Sequence, residues 1–321
     1  MSKCRILFLD DFEGGFAHSP AISALSSRAD LVFHSKSLRG DALADALSQA
    51  DGLVLMRDRT PFGEPELTLA PRLKFLIYTG TRNNLLDEAA CAARGIPVLN
   101  TEFGPSKAST CELTWALVLA AVKRFEQGLT VMRSNQLDWR HGLQYPALPD
   151  VLESETFGLI GLGQIGTRVA RVAQAFGMKT IAWSPNLTHE RAESAGSSLV
   201  PLERVLSEAK VVSLHLVLAP STKGLMNRET LALMRNDSVL VNTSRSGLVV
   251  EGELVAALNR GRPAAAALDV FDEEPLSADH PFRSMPQVTL TPHLGFVSNP
   301  VYRVFTETVA THLSRLLPLN S

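Results

Sequence analysis

Gly161-Leu162-Gly163-Gln164-Ile165-Gly166 stands directly after the apolar run Phe157–Ile160 and opens a helical stretch that continues through Arg168–Ala175. In that setting each glycine has a task. The first permits a tight turn, the second lets the backbone approach a pyrophosphate, and the third allows close packing of helix on strand. The start of the helix then presents unpaired N–H groups and the positive end of its dipole to phosphate oxygens. The bare pattern of glycines is weak. The strand before it and the helix after it make it a dinucleotide site, with Gly161, Gly163, Gln164, Ile165 and Gly166 as the contact residues.

Such a loop is normally followed, at the end of the next strand, by a carboxylate that bonds the adenosine ribose. Here the strand candidate Thr180–Trp183 runs into Ser184-Pro185-Asn186. A carboxylate would repel a 2′-phosphate, so its absence removes the main obstacle to NADP. No arginine follows at once to clamp that phosphate, and His189 and Arg191 are the nearest substitutes. NAD and NADP both stay open, with Ser184 as the residue beside the ribose.

Outward from the loop, short continuous apolar runs alternate with helical stretches. On its C-terminal side the strand candidates are Val211–Leu216, Ser238–Asn242, Ala264–Val270 and Gln287–Leu290. On its N-terminal side they are Arg5–Leu9, Leu31–Phe33, Gly52–Met56, Lys74–Tyr78 and Pro97–Leu99. Continuous rather than alternating apolar strands, each followed by a helix, predict parallel sheets covered on both faces. The fold class is therefore α/β, with two doubly wound units. Between them the spacing predicts one long helix over Ser106–Arg133, with a broad apolar face suited to a domain or subunit interface. An irregular stretch, Gln136–Ser154, separates it from the second unit.

The bulk composition excludes several classes. A chain of 321 residues with 45% hydrophobic and 20% charged side chains has material for two ordinary cores. A net charge of −2, three Trp and three Tyr give neither a basic face nor a stacking platform for nucleic acid. The longest apolar run, Trp115–Val122, is far short of the roughly 18 residues that span a bilayer. Asp10 and Asp11 follow the apolar stretch Ile6–Leu9 at once and spoil it as the core of a signal sequence. Cys4, Cys91 and Cys111 have no metal-ligand or disulfide spacing. A cytoplasmic protein without a metal site is expected.

Polar residues gather at the ends of strands in the second unit. Asn242-Thr243-Ser244-Arg245 follows Val239–Val241, Asp269 interrupts Ala264–Val270, and Asp272-Glu273-Glu274-Pro275 comes next. Pro292-His293 follows Val288–Leu290. Ligands of doubly wound sheets bind outside the carboxyl ends of strands. Taken singly, an arginine or glutamate there is usually a solvated surface charge, and a histidine after proline is usually structural. Together they supply what hydride addition to a 2-oxo acid needs. A histidine donates the proton, a carboxylate favours and orients its imidazolium, and an arginine grips the substrate carboxylate.

With these residues in place, the chain resembles the D-isomer-specific 2-hydroxyacid dehydrogenases along essentially its whole length. The resemblance rests on five motifs in family order: Thr79–Asn83, Gly161–Gly166, Asn242–Gly247, Leu268–Pro275 and Thr291–Gly295. It implies that Arg245 binds and polarises substrate, that His293 is the acid/base and that Glu274 pairs with it. Asp269 would bond the nicotinamide carboxamide, and Thr243 would join the cofactor contacts. Thr79, Gly80 and Thr81 would meet the substrate carboxylate through backbone amides, and Arg57 would also reach substrate. The family fold implies a flavodoxin-like substrate domain at 1–101, completed by 291–321, and a Rossmann NAD(P)-binding domain at 102–290. It also implies a homodimer.

The chain departs from the family pattern at Ser184, Val217 and Ser246. The expected activity is reduction of a small 2-oxo acid such as glyoxylate or hydroxypyruvate. A phosphoglycerate dehydrogenase is the alternative within the family. A dinucleotide-sensing binding protein of the C-terminal-binding corepressor type is the alternative outside enzymes.

Overall fold

The computed structural model describes residues 3–134 and 148–317, so most of the stretch expected to be irregular lies outside the described residues. The chain divides into two compact units, 1–105 with 298–321, and 106–297.

The first unit carries β1 (Cys4–Leu9), β2 (Ala29–Phe33), β3 (Gly52–Leu55), β4 (Phe75–Tyr78) and β5 (Val98–Asn100). All pair in parallel, in the order β2-β1-β3-β4-β5. This is the flavodoxin-like doubly wound order, whose switch point lies between β1 and β3. One face of the sheet, through Leu7, Leu9, Leu53, Leu55 and Leu76, packs on Leu47, Phe62 and Leu67. The C-terminal helix Asn299–Leu316 buries Val301, Phe305, Val309 and Leu313 and packs on the helix Pro20–Ser23.

The second unit carries β6 (Thr156–Ile160), β7 (Lys179–Trp183), β8 (Ser198–Leu199), β9 (Val211–Leu214), β10 (Val239–Asn242), β11 (Ala265–Leu268) and β12 (Val288–Leu290). They form one parallel sheet in the order β12-β11-β10-β9-β6-β7-β8. Counted from β6, this is the 3-2-1-4-5-6 order of dinucleotide-binding sheets with a further edge strand. Successive side chains point to opposite faces. Phe157, Leu159, Val211, Val239 and Val241 therefore join Trp115, Val118 and Val169 on one side. Ile160, Val212, Leu214 and Leu240 join Val205, Leu231 and Leu254 on the other. Both sides are apolar, which is why these strands read as unbroken hydrophobic runs.

Three expectations need correction. The long helix is broken into Ser106–Val122 and Phe125–Arg133, with Arg124 at a φ of +52°. The Val122 carbonyl that would continue it accepts from the Asp150 N–H at 3.1 Å instead, and Lys123 Nζ holds the Asp150 carbonyl. The expected domain edges at 101/102 and 290/291 move to 105/106 and 297/298. Gly104 lies so close to Val304 that a Cβ would approach its Cγ2 to 3.0 Å, which ties this segment to the C-terminal helix. Residues 291–297 are tied to the second unit by bonds from Leu294 and Gly295 to Asp269. Finally, β8 and the helix His189–Ser194 were not expected. A two-residue strand and a six-residue polar helix are too short to carry a period.

Candidate active site

The glycine loop is built around the closeness of neighbouring backbone. Gly161 sits at a φ of +103°, and a Cβ there would stand 2.6 Å from the His215 carbonyl carbon. A Cβ on Gly166 would stand 2.2 Å from the Gly161 carbonyl oxygen. Gly163 differs, because nothing lies within 4 Å of its Cβ direction, so the space beside it is kept open to a ligand. The helix Gln164–Ala175 starts here, and its first internal bond runs from the Thr167 N–H to the Gly163 carbonyl. The amides of Gln164, Ile165 and Gly166 precede that bond and so have no partner inside the helix. Gln164 is exposed, whereas Ile165 leans on the core. These features fit the pyrophosphate of a dinucleotide.

His215, at the end of β9, forms the wall behind the loop. Its ring nitrogen Nε2 bonds Ser213 Oγ at 3.0 Å, and burial lowers its pKa to about 4, so it is neutral near pH 7. At the end of β7, Ser184 is partly buried and its carbonyl accepts from the Leu187 N–H. No carboxylate follows the strand. Arg191 turns back over this loop, with Nη1 donating to the Asn186 carbonyl at 3.3 Å.

At the ends of β10, β11 and β12 the geometry is more restrictive. His293 has a φ of +55°, a region that costs an L-residue roughly 1–2 kcal/mol. Its Nδ1 lies 2.7 Å from Glu274 Oε2, and the other Glu274 oxygen accepts from the Phe271 N–H at 3.0 Å. An ionised carboxylate only accepts, so Nδ1 carries the proton and Nε2 is the ring nitrogen that Glu274 does not engage. Burial pushes the Glu274 carboxyl up, but the His293 bond and charge, the Phe271 N–H and the Arg245 charge outweigh it and hold it below its usual range. Phe296 packs edge-on to the imidazole, with ring centroids 5.9 Å apart.

Arg245 belongs to the same unit and lies near enough to Glu274 to act on its charge. Its turn is held by Asn242, which is 1% exposed: Nδ2 donates to the Arg245 carbonyl and Oδ1 accepts from the Ser244 N–H. Thr243 Oγ1 meets Thr114 Oγ1 at 2.8 Å, and Thr114 in turn donates to the Thr110 carbonyl. The Thr243 proton therefore points to the helix Ser106–Val122, leaving only acceptor capacity on that hydroxyl for a cofactor.

Asp269 is occupied mainly within the chain. It is 1% exposed and accepts from Thr291 Oγ1 at 2.6 Å, Leu294 N at 2.7 Å and Gly295 N at 2.9 Å. A carboxylate has about four acceptor positions. Three of Asp269's are used to fix the turn that displays His293, which leaves one for the nicotinamide carboxamide expected from the resemblance. Burial pushes this carboxyl above its ordinary value, against the pull of those donors.

In the first unit, Arg57 has a φ of +49° and its guanidinium lies 4.7 Å from the centroid of the Phe103 ring. Its N–H donates to Thr79 Oγ1 and its carbonyl accepts from Asn83 Nδ2. The amides of the neighbouring segment are less available than the resemblance implied. The Thr79 N–H continues the sheet to the Leu55 carbonyl, and the Gly80 N–H donates to Thr101 Oγ1 at 2.8 Å. Gly80, at a φ of +94° with Phe103 against its α-carbon, is turned inward. That leaves Thr81, which is exposed, as the amide of the three that can face a substrate. Asn83, Thr101, Phe103 and Asn242 were missed as supports of the site. Asn83 and Asn242 lie inside the quoted motifs, and an asparagine beside a strand end could have flagged each as a turn holder.

Residues 115–295 match the family model described as "D-isomer specific 2-hydroxyacid dehydrogenase, NAD binding domain". The chain is 36% identical to the glyoxylate reductase of Aeropyrum pernix over 79% of its own length and 76% of that protein's. It is 33% identical to the D-3-phosphoglycerate dehydrogenase of Methanocaldococcus jannaschii over 94% of its length, spanning 56% of that relative. A solved phosphoglycerate oxidoreductase from Vibrio cholerae shares the fold at a TM-score of 0.89 and 31% identity, covering 98% of this chain and 99% of the other.

Proposed function

Because the chain belongs to the D-isomer specific 2-hydroxyacid dehydrogenase family, we propose that it moves a hydride between NAD(P)H and C2 of a small 2-oxo acid. Glyoxylate and hydroxypyruvate are the leading substrates. The observation that carries this reading is the 2.7 Å bond between His293 Nδ1 and Glu274 Oε2, which leaves Nε2 as the nitrogen to exchange a proton with substrate.

A bound reduced nicotinamide supplies the hydride. As C2 accepts it, the His293 imidazolium gives its Nε2 proton to the carbonyl oxygen. In the opposite direction the neutral ring takes the hydroxyl proton. Glu274, held ionised, favours the imidazolium and keeps the proton of the neutral ring on Nδ1. Arg245 binds and polarises the substrate through its guanidinium. Unit 106–297 is the cofactor domain, with Gly161, Gly163, Gln164, Ile165 and Gly166 around the pyrophosphate, Ser184 at the ribose, and Thr243 and Asp269 toward the nicotinamide. Unit 1–105 with the C-terminal helix is the substrate domain, where Arg57 and the Thr81 amide hold the carboxylate and Thr79 and Gly80 shape their segment. The lack of a carboxylate after β7 supports use of NADP as well as NAD.

We further infer a homodimer through the cofactor unit. Phe125 and Met132, seven residues apart on one helix, are 59% and 65% exposed, and Val151 is 66% exposed. The free thiols of Cys4, Cys91 and Cys111 support a reducing compartment.

The test is nicotinamide absorbance with NADH or NADPH and a panel of 2-oxo acids that includes a phosphorylated hydroxypyruvate. Turnover with one of them is expected, and His293→Ala should lower kcat by about 10²–10⁴-fold with cofactor affinity kept. Tight cofactor binding without turnover of any acid would favour the sensing protein instead. Retained activity in His293→Ala would remove the assigned role.

A further inference from the structure

Glu274 can hold His293 only if its own loop is held. Between β11 and β12 the chain runs from Asp269 to Gln287 with one short 3₁₀ turn, Pro281–Ser284, and no other regular element. Glu274 itself contributes one local bond, to the Phe271 N–H. A loop of this length would wander without further anchors.

The anchors come from a second histidine–carboxylate pair. His280 Nε2 lies 2.7 Å from Glu251 Oε1, with side-chain exposures of 16% and 25%. The tautomer follows from the other nitrogen. His280 Nδ1 accepts from the Phe282 N–H at 3.2 Å, so it carries no proton, and Nε2–H donates to Glu251. Phe282 is 2% exposed, and its ring lies 4.8 Å from the imidazole. The second Glu251 oxygen faces the Asp272 N–H at 3.5 Å. One side chain, on the first residue of the helix Glu251–Asn259, therefore meets the loop on both sides of Glu274.

We propose that Glu251 and His280 are positioning residues of the reaction: they brace the 271–282 loop so that the Glu274 carboxylate stays on His293. This rests on the roles given above to His293 and Glu274. Arg283 adds a separate brace, donating to the Leu276 and Ser277 carbonyls at 2.7 Å each. The pair touches no reacting group. Its effect passes through Glu274; the other charges beside His293 and Glu274 are Asp269, which Thr291, Leu294 and Gly295 hold, and Arg245.

The experiment measures kcat, cofactor affinity and the pH midpoint of reductive activity in Glu251→Ala, His280→Ala, Glu274→Gln and the double variant Glu251→Ala/Glu274→Gln. Each alanine variant is expected to lose about 5- to 10-fold in kcat, with cofactor affinity unchanged. Their pH midpoint should move down, in the direction of Glu274→Gln, because an unbraced carboxylate favours the imidazolium less. In the double variant Glu251→Ala should add little to Glu274→Gln, since both act through one contact. Glu251→Gln keeps one acceptor oxygen, so its midpoint should fall between wild type and Glu274→Gln. This variant carries the test if alanine does not fold. A wild-type midpoint in the Glu251 and His280 variants, or full additivity with Glu274→Gln, overturns the proposal. A wild-type midpoint in Glu274→Gln overturns instead the roles beneath it.

Discussion

At the scale of the residue, the three glycines of the loop make separable demands. Gly166→Val or even Gly166→Ala forces a Cβ against the Gly161 oxygen, where 2.2 Å leaves no room, and should destabilise the fold itself. A Cβ on Gly163 meets no protein atom within 4 Å beyond its chain neighbours, so in Gly163→Ala the fold should survive while dinucleotide affinity falls. Thermal unfolding alongside cofactor titration checks the pair, and equal loss of stability in both would contradict it. His215 allows a second prediction, with a defined sign. Its folded pKa of about 4 lies below its ordinary 6.5, so the unfolded chain binds the extra proton between those values. The stability it contributes is complete above about pH 6.5 and is lost as pH falls toward 4. His215→Gln should flatten the pH dependence of the unfolding midpoint across that window. An unchanged slope would mean that His215 is not buried neutral.

At the scale of the element, the break at Arg124 divides what the apolar spacing reads as one helix. The period of Thr110, Leu113, Leu117 and Ala121 is genuine, and it cannot report a turn set by a partner far along the chain. That partner is Asp150, whose N–H takes the Val122 carbonyl. Arg124 then bears a left-handed backbone without the freedom of glycine. Arg124→Gly relieves the steric cost but gives up conformational entropy when folded, for a net gain of about 0.5–1 kcal/mol. Denaturant unfolding should show a raised midpoint with an unchanged slope. A lowered midpoint would place the strain elsewhere. The same limit applies to the helix His189–Ser194, whose six residues are positioned by a Thr188 cap and not by a repeating apolar face.

At the scale of the whole molecule, the exposed Phe125 and Met132 bear on assembly. Phe125→Asp should shift a dimer toward monomer in sedimentation while leaving the fold of the single chain intact, and a wild-type sedimentation coefficient would remove that helix from the interface. Two parallel sheets and the dinucleotide loop can be read from the residues alone, whereas Arg245, Glu274 and His293 stand out there only as a set and through the family resemblance. The sheets and the loop are signalled locally, by unbroken apolar strands and by glycines set between strand and helix, whereas a single charged residue at a strand end is no signal by itself. The tertiary structure alone decided how those groups are used. Asp269 is largely taken up by the His293 turn, the Gly80 amide by Thr101, and Thr243 faces Thr114. Each of these bonds joins residues 21 or more positions apart, and no local pattern of residue types can say which distant donor an acceptor will meet.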